Sequence, residues 1–161
     1  MTYRAPVPVG PENKTWTETL STKSAFTEVA VALTDSSLAL QRAEEVIEGS
    51  DLKAMVRGFR DRRHDSLREL REVGLAAGLR ADGIPASGTE KLRRTWMTLK
   101  SKLAENASVL KVLIDEEEDA AGTLKEFRGR NLPSAVDNVV GSAIVQIEND
   151  IEILSETHSK L

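Results

Sequence analysis

The stretch VLKVLIDEEEDAAGTLKEF, residues 109–127, decides how the whole chain is read. Apolar residues recur in it every three or four positions, as on one face of a helix, yet Asp115 to Asp119 place five acidic side chains in succession in its middle. Five consecutive residues sweep about 400° around a helix, so they cannot share a face. With Leu110, Leu113, Ile114, Ala121, Leu124 and Phe127 turned inward, Glu117 falls at the centre of the stripe and Glu118 on its shoulder. Asp115, Glu116 and Asp119 fall outside it. The stretch is therefore predicted to be a helix over 106–128 with one carboxylate aimed at the core. An isolated buried carboxylate is costly, on the order of several kcal/mol, and needs either a proton or a cation.

The same period organises the rest of the chain. Phe26, Val29, Leu33, Leu40, Ala43 and Ile47 predict a first helix over 20–48, which Gly49-Ser50-Asp51 stops while supplying a new N-cap. Leu52, Val56, Phe59, Ser66, Leu70, Val73 and Ala77 predict a second over 52–79, antiparallel to the first because the turn is so short. Breakers in GLRADGIPASG, residues 78–88, precede a shorter amphipathic helix at 89–103 with Trp96, Leu99 and Leu103 on one side. After RGRNLPS, a last helix over 134–158 carries Val136, Val140, Ala143, Ile147, Ile151 and Leu154. Residues 1–18, with Pro6, Pro8 and Pro11, read as a flexible arm ahead of one domain over 19–161. Two antiparallel helices, a long connection and two more antiparallel helices make an all-α, ferritin-like four-helix bundle with a single crossover.

Composition narrows the function. The 161 residues suit one domain, and a chain of this size buries about two-thirds of its unfolded surface. Basic and acidic residues, 22 and 26 in number, are interspersed for a net charge of −4, which provides no basic face for nucleic acid. The chain has no cysteine, so thiolate metal sites and Cys nucleophiles are excluded. No apolar run is long enough for a membrane span, and the opening MTYRAPVPVGPENKTW lacks a signal core, which predicts a cytoplasmic location. Ser, His and Asp are never clustered, and GIPASG lacks the Lys-Ser or Lys-Thr of a phosphate loop.

SDLKAMV at 50–56, RRTWMTLKSKL at 93–103, DEEEDAAGTLKEF at 115–127 and LPSAV at 132–136 together resemble a bacterial ferritin-like four-helix-bundle family of unassigned function, within the rubrerythrin and ferritin-like superfamily. The resemblance covers about residues 20 to 155. It implies an Arg at position 63. It also implies departures from the fuller metal sites of such proteins, because Gln146 and Ile151 stand where a Glu and a His are carried, and Ala39-Leu40 where a Gly-aromatic pair is carried.

A di-iron site in such a bundle requires inward Glu residues on two helices and inward Glu-x-x-His on the other two. The only histidines are His64 and His158. His64, with Asp61 three residues before it, lies off the stripe of its helix, and His158 has Ser155 where the Glu is needed. Arg63, by contrast, lies on the stripe between Phe59 and Ser66, which predicts a buried polar pair with Glu117. The alternative for Arg63 is a stem that snorkels to the edge. Trp96 beside Arg93-Arg94 is read as a plug packing the crossover onto the bundle rather than as a phosphate platform.

Two functions are thereby expected. The first is a non-catalytic, stress-associated or scaffold protein without cofactor, engaging an unidentified protein partner or forming a homodimer. The second is a degenerate site in which Glu44, Glu117 and Glu118 hold one divalent metal, iron or manganese.

Overall fold

A computed structural model describes residues 16–81, 90–101 and 105–161, with side chains from residue 21 onward in the first segment and from 93 to 100 in the second. Among the described residues every regular element is helical: α1 Trp16–Val46, α2 Ser50–Ala76, α3 Glu90–Ser101, α4 Asn106–Phe127 and α5 Ser134–Ser159. All-α is the class that the sequence predicts. No helix among the described residues is long and apolar enough to cross a membrane.

The boundaries differ from expectation where local hydrogen bonding decides them. α1 begins at Trp16, inside the span read as an arm, and the remainder of that arm lies outside the described residues. α2 starts at Ser50 with Gly49 at the N-cap and no side-chain cap, so Ser50 and Asp51 belong to the first turn, where Asp51 favours the helix dipole. It ends at Ala76 rather than 79 because Gly78 takes a φ of +79°. The Leu79 amide then donates to Gly74 O at 2.8 Å and the Gly78 amide to Leu75 O at 3.0 Å. This Schellman closure folds the apolar Leu79 back into the core. For α3, Leu103 lies outside the described residues, while Trp96 is buried and Leu99 packs against the same cluster.

α1 packs against α2 and α4, and α5 packs against the same two, so α1 and α5 occupy one diagonal and α2 and α4 the other. The directions follow from contacts at the ends. The Asn106 amide group bonds both Glu48 N and Glu48 O, at 3.0 and 2.8 Å, while Thr22 Oγ1 donates to Asn131 O at 2.7 Å. The end of α1 thus meets the start of α4, and the start of α1 meets the turn after α4. α2 and α5 are also antiparallel, with residue 62 opposite 150 and residue 66 opposite 146. α2 and α4 consequently point the same way.

The core has two apolar halves. One is built on Phe26, Leu33, Leu70, Leu124, Val140 and Ile147, and the other on Leu40, Ile47, Val56, Leu110, Leu113, Trp96 and Leu154. Each fully buried large side chain contributes about 1.5–3 kcal/mol by leaving water. Along every long helix a polar residue lies between the two halves: Ser36, Arg63, Glu117 and Asp150. These four form a layer across the middle of the molecule.

Candidate functional site

Arg63 is the largest fully buried side chain among the described residues, at 0% exposure. Its position follows from the stripe of α2, where it stands four residues after Phe59 and three before Ser66. A guanidinium keeps its charge under all ordinary conditions and offers five donors, so a buried one must be surrounded by acceptors. Here Nε donates to Ser36 Oγ at 2.8 Å, Nη1 to Gln146 Oε1 at 3.2 Å, and Nη2 to both Glu117 Oε2 at 2.8 Å and Asp150 Oδ2 at 2.7 Å. The acceptors come from α1, α4 and α5, so the one side chain joins all four long helices. Ser36 Oγ in turn donates to Glu117 Oε1 at 2.6 Å, leaving both oxygens of that carboxylate engaged.

Two carboxylates around one guanidinium would leave an excess negative charge in the core. Arg62 offsets it from the surface side, with Nη2 donating to Asp150 Oδ1 at 2.8 Å and its guanidinium carbon 5.1 Å from the Phe59 ring centre. The cluster is thus two cations and two anions, with Arg62 half in solvent and the other three enclosed. Burial raises the Glu117 carboxyl above the ordinary carboxylate range, against the pull of the Arg63 charge and the Ser36 hydroxyl.

Asp150 is the member that the sequence reading missed. Its signal was present, because it stands three residues after Ile147 and four before Leu154 on the most regular stripe of the chain. Ile151, assigned to that stripe, is only partly buried. α4 requires a second correction. Glu118, expected on the shoulder, is exposed, whereas Glu116, expected outside, is half-buried. The inward arc runs through Leu113, Glu117, Ala120, Ala121 and Leu124, rotated away from Ile114 and Glu118. α3 covers the flank that carries Glu116, whose carboxylate accepts from Trp96 Nε1 at 3.1 and 3.2 Å. Burial pushes the Glu116 pKa up to about 7, opposed by the Trp96 hydrogen bond and the charge of Arg42.

The carboxylates read as a possible metal set do not converge. Glu44 pairs with Arg57 Nε at 2.7 Å and Arg60 Nη1 at 2.5 Å, Glu118 faces outward, and Glu117 is held by Arg63 and Ser36. His64 and Asp61 are exposed on α2, and His158 is half-buried in the last turn of α5. The donor set at the centre does not fit a di-metal pair, since it contains two carboxylates, no imidazole and a fixed cation between the carboxylates. Ser36 is no better placed as a nucleophile. Its oxygen already accepts from Arg63, and it is 1% exposed. No protein-family model matches the chain, and no curated protein matches it.

Proposed function

We propose that the chain is a ferritin-like four-helix bundle, with its crossover between α2 and α4, in which a permanent internal ion cluster stands in the place of a metal centre and the molecule serves as a non-catalytic scaffold or interaction protein. The observation that carries this reading is Arg63, completely enclosed and shared among acceptors on three other helices. A guanidinium repels divalent cations and satisfies carboxylates without exchangeable ligands, so the centre favours rigidity over chemistry. The parallel course of α2 and α4, each diagonal to the other, supports the single-crossover arrangement. An unidentified protein partner and a role in stress responses belong to the same proposal.

Elemental analysis of protein purified without chelators, before and after incubation with Fe(II) or Mn(II), tests it. The expected content is far below stoichiometric. Retention of about two equivalents of iron or manganese per chain, the loading of a di-metal carboxylate bundle, would overturn it.

A further inference from the structure

Beside the polar layer, on the outer side of α1 and α4, runs an open groove of about 260 Å³. Its floor is made of small side chains, Ala32, Ala39 and Ala120, which leave room for an apolar residue to settle between the helices. Its rims are acidic on both sides, with Glu28 and Asp35 on α1 and Asp119 on α4, against Arg42 in its lining. The groove continues directly into the seat of α3. Glu116 borders the groove and also accepts from Trp96, and Ala39 belongs both to the groove floor and to the cluster that buries Trp96.

α3 shows what this surface accommodates. Its sequence EKLRRTWMTLKS holds four basic residues and one acidic, and it lies on the bundle through the buried Trp96, with Leu99 partly buried beside it. We infer that the groove between α1 and α4 docks a cationic amphipathic helix of a partner protein, one bulky apolar side chain filling the space over the alanines and Lys or Arg residues a turn away meeting the acidic rims. This inference rests on the proposed interaction role and names the chemistry of the partner. Laying an apolar helix face in a groove is a recurrent mode of recognition, and opposite charge on the rims sets approach and register. A second copy of this chain fits less well. Its own α3 has Trp96 committed to its own α1 and α4, and two chains of net charge −4 repel.

The test uses the full chain and a fluorescein-labelled amphipathic Leu-Lys helical peptide, with a scrambled peptide of the same composition as control. Anisotropy should give a Kd on the order of 10 µM for the amphipathic peptide, weakening with added salt. Glu28→Lys combined with Asp119→Lys, both at exposed rim positions, should weaken binding by about ten-fold or more while leaving the circular dichroism unchanged. Thr123→Trp, placed at the groove wall, should weaken it without altering charge. Equal binding of the scrambled peptide, or undiminished binding to the charge-reversed chain, would overturn the inference. So would a wild-type dimer in light scattering that the charge reversal splits, because the occupant would then be a second copy. Metal content measured on the same preparation separates the two readings: a metal-free chain that ignores the peptide overturns only the docking inference, and a metal-loaded chain that binds it overturns only the reading of the centre.

Discussion

Arg63 on α2 and Glu117 on α4 meet across the diagonal of the molecule, 2.8 Å apart between Nη2 and Oε2, although their helices do not pack side by side. Only a long, straight, planar cation could cover that span and still serve Ser36 and Asp150. Lysine would reach with one nitrogen and could not offer the same fork of donors.

The asymmetry of buried ion pairs gives the first expectation. Arg63→Met should destabilise the fold by about 3–5 kcal/mol, because Glu117 and Asp150 are left facing each other in an apolar centre, and Glu117→Leu should cost a similar amount. The combination Arg63→Met, Glu117→Leu leaves Asp150 with Arg62 and should recover much of the loss. Denaturant unfolding of the singles and the double yields the coupling energy, and additive effects would contradict the cluster geometry.

Arg62 should matter far less than its neighbour. It is half exposed, so its bond to the buried Asp150 and its stacking over Phe59 are partly screened by water on the Arg62 side. Arg62→Ala is expected to cost about 1 kcal/mol, and Arg63→Ala several times more, in the same unfolding assay.

Glu116 predicts a pH dependence whose sign is fixed by its environment. Its pKa is raised from 4.5 in the unfolded chain to about 7 in the fold, so the folded state holds a proton that the unfolded state releases. The stabilisation is complete below the unfolded value and is lost as pH rises toward about 7, the native state binding more protons throughout the window. Because the group is partly solvated, the effect should be on the order of 1 kcal/mol after screening. Thermal unfolding between about pH 5 and pH 8 should show Tm falling, and Glu116→Gln should flatten that slope.

Gly74 is fixed by a close approach. A Cβ there would lie 2.5 Å from Cζ and 2.6 Å from Cε1 of Phe26, a ring that is itself 1% exposed. Gly74→Ala should therefore cost about 1–3 kcal/mol from overpacking despite the better helix propensity of alanine. Phe26→Leu in the same chain should relieve part of that penalty, which thermal unfolding of the pair would reveal.

Helix periodicity made much of this legible. The stripes of α1, α2, α4 and α5 are long enough to identify each helix, and Arg63 and Glu117 stand on their own stripes with no knowledge of each other. Asp150 escaped because a polar residue on an otherwise aliphatic stripe is easily discounted, although its spacing from Ile147 and Leu154 is the same kind of signal. The exchange of Glu116 and Glu118 has another cause. Which shoulder of α4 is covered depends on where α3 comes to rest, and that is a tertiary fact with no trace in the period of α4 itself. The end of α2 was set by the positive φ of Gly78, a local term that outweighs an apolar pattern continuing to Leu79.

The polar layer also governs how the protein comes apart. Because Arg63 draws acceptors from α1, α4 and α5 at once, no long helix can peel away without breaking a hydrogen bond of the buried cluster, and loss of α2 strands Glu117 and Asp150 without their shared cation. Native-state hydrogen exchange is therefore expected to show the four long helices opening as a single foldon rather than in pairs. Slow proteolysis of the native chain is the expected consequence of such concerted opening.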